Sequence, residues 1–162
     1  MWTNFIKWIN RLVINLTMVI LIVMVLIVFL QILTRALMNS SFTWTEELAR
    51  FLMIWMIYLG AGFAFQYGAH ISVGAVVNIL PKGIQKIIPF FMMVVSLIFF
   101  IVLFIKRVGL SKQSMGQLSP VLRIPMGYLY IVFPVSALLQ SLNMVDITVK
   151  FYRTGQMARE EY

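Results

Sequence analysis

The sequence predicts an all-α fold: an integral membrane protein of four transmembrane helices preceded by a short amphipathic N-terminal segment. Two observations carry this reading. Hydrophobic residues fill 62% of the 162 positions and charged residues only 11%, an excess that a water-soluble domain of this length has no core to absorb. The apolar residues also gather into four windows free of Lys, Arg, Asp, Glu and His, near 12–34, 51–69, 87–105 and 124–145, each close to the roughly 20 residues a helix needs to cross the hydrocarbon core. The runs are continuous rather than alternating, which excludes the strand pattern of a membrane barrel. No internal repeat, low-complexity tract or linker divides the chain, so residues 1–162 read as one domain.

The first apolar run is much longer than the roughly 7–15 apolar residues of a signal peptide and ends at Arg35, so it is expected to stay in the mature protein. Ahead of it, Trp2, Phe5, Ile6, Ile9, Leu12 and Val13 recur at helical spacing, with Asn4, Lys7, Asn10 and Arg11 mostly opposite. That pattern fits an interfacial lead-in, or equally a plain extension of the first helix.

The second helix is expected to start at FTWTEELARFLMIW, Phe42 to Trp55. Thr43 and Glu46 have the spacing of a capping box, in which the two side chains satisfy unpaired backbone N–H groups. Glu46 and Glu47 lie four and three residues before Arg50, so both carboxylates can approach one guanidinium, and Trp44 is placed to anchor at the membrane interface. Further along, Gly60, Ala64 and Gly68 recur every fourth residue, a row that lets another helix backbone come close. Gly62, Gln66 and His70 form a second, partly polar row. The apolar stretch continues to Leu80, so this helix can extend to 80 before Pro81 stops it.

The third span carries only Ser96 as a polar residue and is expected to be the most lipid-exposed helix. A basic segment follows, with Lys106, Arg107, Lys112 and Arg123 around GQLSP. Pro120 and Pro125 bracket the start of the fourth span, and Pro134 removes a backbone bond within it. Ser136, Gln140 and Asn143 then fall on one face, where side chains in hydrocarbon seek partners on other helices.

Composition excludes several classes of function. The net charge of +8 is spread over every loop and terminus, so membrane lipid headgroups rather than nucleic acid are the expected partners. Without cysteine there is no thiolate catalysis or thiolate metal site. The lone His70 cannot supply two axial ligands to a haem, and no spacing suggests a triad, a phosphate loop or a metal site. No cofactor or enzymatic activity is expected. The windows lack the ionisable residues that a self-sufficient proton-coupled transporter needs at membrane depth. An interaction protein remains, in which Glu46, Glu47 and Arg50 either form a local cap and surface pair or send one surplus carboxylate to a basic residue of a partner subunit.

The stretches WTEELARFLMIWMIYLGAGFAF (Trp44–Phe65), HISV (His70–Val73), LP (Leu80–Pro81) and GQLSPVLRIPMGYLYIVFPVSALL (Gly116–Leu139), in this order and spacing, resemble the small membrane subunit of tripartite ATP-independent periplasmic (TRAP) transporters. The likeness runs from the first helix to the end of the fourth. It implies a bacterial inner-membrane subunit, without catalysis or cofactor, that enlarges the static scaffold of a large multi-spanning subunit. That partner would carry the sodium and substrate sites. A periplasmic substrate-binding protein would deliver an anionic organic acid such as a C4-dicarboxylate, a sialic acid or another sugar acid. The family's acidic pair and arginine fall on Glu46, Glu47 and Arg50, its histidine on His70, and its proline-bracketed segment on Ser119, Pro120, Ile124 and Pro125. An acidic residue that many members have near Gly74 is missing. The resemblance also implies cytoplasmic N- and C-termini; the Lys and Arg count favours that side by only seven to six.

As expected subunit contacts we take Trp44, Glu46, Glu47, Arg50, Gly60, Ala64, Gly68, His70, Ser119, Pro120, Pro125, Ser136, Gln140 and Asn143, and as expected docking residues for the periplasmic protein Lys112 and Arg123. The alternatives are a homo-oligomeric small transporter or channel working through the polar rows of helices two and four, and a cofactor-free membrane anchor for a soluble enzyme.

Overall fold

Apolar runs of this length can satisfy their backbone polar groups within a bilayer only by coiling into helices or closing into a barrel, and these coil. A computed structural model describes residues 2–38, 42–77 and 87–154, with all their side chains except those of Trp2, Met38, residues 65–77, Pro89, Phe151, Arg153 and Thr154. Helix α1 spans Trp2–Met38, α2 Thr43–Val77, α3 Ile87–Gln113, α4 Met126–Tyr130 and α5 Val132–Thr154, with one 3-10 turn at Ser114–Gly116 after α3. The all-α expectation holds: among the described residues four stretches, Thr3–Leu37, Thr43–Ala64, Phe90–Gly116 and Met126–Lys150, are long and apolar enough to cross a membrane.

The N-terminal segment is continuous with the first span, giving a helix of 37 residues. At 1.5 Å per residue it is about 55 Å long, well beyond a core of about 30 Å, so it must tilt or protrude. The amphipathic assignment needs one change. Asn10, expected on the polar side, is only 3% exposed, while Phe5 and Trp8 lie on the surface.

Helix α2 starts one residue after Phe42, and not through a capping box. The Thr45 hydroxyl donates to the Phe42 carbonyl at 2.6 Å, with the Thr45 N–H on the same oxygen at 3.2 Å. Glu46 is meanwhile drawn to Arg50. Helix α2 continues to Val77; the expected stop at Pro81 lies outside the described residues.

In the fourth span Pro125 holds helix formation back to Met126. Pro134 then leaves the Tyr130 carbonyl without its helical donor, and regular α-helix lapses for the single residue Ile131. The bonds from Ile131 N to Gly127 O and from Val135 N to Ile131 O, at 3.1 and 3.2 Å, carry the chain through.

Across the bundle the order is α1, α2, α5, α3, with α4 against α3 and α1 reaching α5. Leu59, Val132 and Leu139 form the apolar centre, flanked by Ile54, Trp55 and Phe133. Buried polar side chains, among them Asn10, Thr45, Ser136, Asn143 and Asp146, are as prominent inside as apolar ones. That inversion is expected where the outer faces meet hydrocarbon and polar groups find partners only inward. Helix α1, not α3 as expected, is the most exposed: none of its most apolar window is buried, against 6% for α3.

Candidate functional site

At the end of the bundle that holds the start of α2, the end of α3 and the start of α4, the acidic pair separates. Glu46 accepts from the Arg50 guanidinium at 3.1 Å on the surface, both side chains more than three-fifths exposed. Glu47, one residue on, points about 100° around the helix and turns into the protein. One carboxylate oxygen accepts from the backbone N–H groups of Val121 and Leu122 at 2.9 and 3.1 Å.

The receiving loop is built to present those donors. Ser119 N donates to Ile124 O at 2.9 Å, Ile124 N returns to the Ser119 hydroxyl at 3.2 Å, and Met126 N bonds Gln117 O at 2.8 Å, closing a tight hairpin-like turn. Arg123 takes a left-handed φ of 56° to complete it. Ser119 is buried, Pro120 exposed and Pro125 half-buried as the residue before α4. A carboxylate facing two adjacent backbone N–H groups is strongly directional. It ties the start of α2 to the start of the fourth span.

We therefore expect Glu47→Ala to loosen this loop while Glu46→Ala leaves it intact. Limited trypsinolysis, followed by mass identification of the cut after Arg123, should run several-fold faster in the first variant. Equal rates in the two variants would contradict the assignment.

The polar face of α5 is used inside the chain. The Ser136 hydroxyl donates to Tyr58 O at 2.7 Å, Gln140 donates to Ser136 at 2.8 Å, and Asn143 donates to Gly62 O at 2.7 Å. Asn143 and Asn10 also exchange bonds at 2.7 and 3.1 Å, joining α1, α2 and α5 at one point. A self-contained channel would need these side chains free to line its path.

The two small-residue rows differ. A Cβ at Gly62 would lie 3.1 Å from Leu139, so Gly62 is the close approach to α5. A Cβ at Gly60 would meet nothing within 4 Å, and Ala64 is exposed. Gly68 and His70 lie on the helical backbone of α2, with side chains outside the described residues, as does the position near Gly74. Trp44 is 37% exposed and stacks on Phe42, while Lys112 and Arg123 are on the surface at the same end.

Sequence reasoning did not single out Asn10, Gly62 as a contact, or Gly127. A Cβ at Gly127 would fall 2.6 Å from the Ser111 carbonyl oxygen, and the Ser111 hydroxyl donates to Gly127 O at 2.8 Å. Asparagines near the ends of two apolar windows were the available signal for the Asn10–Asn143 pair. Among the described residues no group of three or more acidic or histidine side chains is placed to hold a metal ion.

Comparison with known proteins gives these features a context. The family model described as tripartite ATP-independent periplasmic transporters, DctQ component, matches residues 24–154. A TRAP transporter small permease protein of Haemophilus influenzae is 32% identical over 139 residues, 85% of this chain and 86% of that protein. The ectoine TRAP transporter small permease protein TeaB of Halomonas elongata is 26% identical, over 74% of this chain but less than two thirds, 63%, of its own length. The sialic acid TRAP transporter permease protein SiaT of Haemophilus influenzae is 24% identical over 80% of this chain and only 21% of its own length. A four-helix membrane frame matched by the family model over most of its length places this chain in the DctQ family, as the small permease subunit of a TRAP transporter, a transport component and not an enzyme.

Proposed function

We propose that the chain acts as the static scaffold of a sodium-coupled TRAP transporter in a bacterial inner membrane, holding the large permease subunit at a fixed tilt and depth. TRAP small subunits pair with a large permease subunit. In SiaT the matching stretch is about a fifth of a longer permease chain, which supports a large permease as the partner here. The transported compound is an anionic organic acid, a C4-dicarboxylate, a sialic acid or another sugar acid. The relatives' names, ectoine and sialic acid, differ, as expected if the substrate is bound by other chains.

The observation that carries the reading is the bare apolar face of α1. No residue of its window is fully buried and its outer face is bare, yet Val13 and Ile20 pack against the core, and the Asn10–Asn143 bonds and the contacts with α2 hold the helix to the bundle. A rigid, uncovered apolar helix suits a broad intramembrane contact better than a moving part. Gly60 and Ala64 offer a second open surface on α2. With both termini cytoplasmic, the end bearing Glu46, Arg50, Lys112 and Arg123 faces the periplasm. There the basic residues would steer an acidic surface of the substrate-binding protein.

The test is a mild-detergent pull-down of the tagged chain, co-expressed with the multi-spanning protein encoded beside it. We expect a one-to-one complex. Gly60→Leu should reduce the recovered partner without lowering the thermal stability of the isolated chain, since the added side chain enters open space. A chain that emerges alone as a defined oligomer overturns the scaffold reading.

A further inference from the structure

The aromatic residues at the join of α4 and α5 hold one arginine in an unusual setting. Phe133 is gripped edge-on by Tyr58 at 4.5 Å and flat against Tyr130 at 5.8 Å, so its ring has little freedom. The Arg107 guanidinium lies over this ring, 5.1 Å from its centre. A guanidinium held over a ring by cation–π attraction can keep N–H donors free at the rim, where they can meet an oxyanion in a fork.

That rim borders a cleft of about 440 Å³. Gln113, Ser114, Gln117 and Tyr130 supply its polar wall, and Leu110 with Phe133 its apolar floor. Among the described residues no acid is paired with this charge. Of the described acids, Glu46 is paired with Arg50, Asp146 with Lys150, and Glu47 with the Val121–Leu122 turn. Lys106 adds a second exposed cation next to Arg107.

The depth of the cleft narrows the choice of ligand. Arg107 stands two residues past the apolar window 87–105, at the level of lipid headgroups. Phe99, three turns back on the Leu110 face of α3, is exposed and extends apolar surface toward the membrane centre. We propose that this cleft binds a phosphate oxyanion, carried by the headgroup of an anionic phospholipid whose acyl chain lies along α3. The Arg107 fork takes the phosphate oxygens, and the glutamines and Tyr130 serve the polar remainder of the headgroup.

Native mass spectrometry of the full chain in mild detergent, titrated with phosphatidylglycerol, phosphatidylcholine and inorganic phosphate in parallel, tests this. Phosphatidylglycerol should bind saturably. Arg107→Gln should weaken it roughly tenfold, the loss of one charge-assisted contact, and Arg107→Lys should recover only part because the planar fork is gone. Lys112→Gln, the same change of charge outside the cleft, should have little effect. Should Arg107→Gln fail to fold, Gln117→Ala carries the same comparison. Equal weakening by Arg107→Gln and Lys112→Gln would reduce the effect to a general basic surface and overturn the site. Displacement of the lipid by millimolar inorganic phosphate would assign the cleft to a soluble anion and overturn the lipid.

Discussion

Asn143→Leu is expected to destabilise the isolated subunit by about 2 kcal/mol and to free α1 from the bundle. Asn143 is 1% exposed, donates to Gly62 O and to Asn10, and accepts from Asn10 in return. Interhelical hydrogen bonds in membranes average below about 1 kcal/mol, but cutting one side of a buried exchange also strands its partner, at about 1–3 kcal/mol. Thermal or SDS-titrated unfolding in mild detergent measures the loss. A cycle with Asn10→Val isolates the pair, because the double variant should be less damaged than the sum of the singles. A loss below about 0.5 kcal/mol, within the range of an ordinary surface change, would show that the triple junction does not hold α1.

Gly127→Val should be similarly severe for a steric reason. The first added carbon would sit 2.5 Å from Met115 Sδ and 2.6 Å from Ser111 O. The thioether can swing away; a backbone carbonyl in α3 cannot. Overpacking costs about 1–3 kcal/mol, and the Ser111 to Gly127 bond is lost with it. We expect a large fall in melting temperature and in detergent-extractable yield. Gly60→Leu is the internal control, because the same chemistry at an open glycine should leave the melting temperature in place.

How much could be read in advance depended on what kind of partner each residue has. The four spans were legible because each is an unbroken apolar run, and hydrocarbon forces such a run into a helix. The Glu46–Arg50 pair was legible because helical geometry alone sets it. The partners of Glu47 were not. They are backbone N–H groups of Val121 and Leu122, 74 and 75 residues away, and every residue but proline offers such a donor.

Asn10 misled for a different reason. Beside Lys7 and Arg11 it looks like part of a solvated face, yet its neutral amide is drawn inward to Asn143 while those two charged neighbours stay at the surface. The two glycine rows of α2 have the same spacing, and spacing does not say which one meets α5. The ranking of α1 and α3 likewise depended on neighbours, since both are almost purely apolar.

The Glu47 contact has a consequence for the order of events during synthesis. The carboxylate reaches the membrane with α2, but its first acceptor-binding partner is added 74 residues later. At about 5–20 residues per second, that carboxylate waits about 4–15 s for its donors, while α3 is made and inserted. During this interval the carboxylate lacks both of its backbone donors. Closure over Val121 and Leu122 is then the first tie between the halves, ahead of the packing of α5 on α2. A ribosome stalled before residue 121 should therefore leave the first two helices extractable as a separate, protease-sensitive unit.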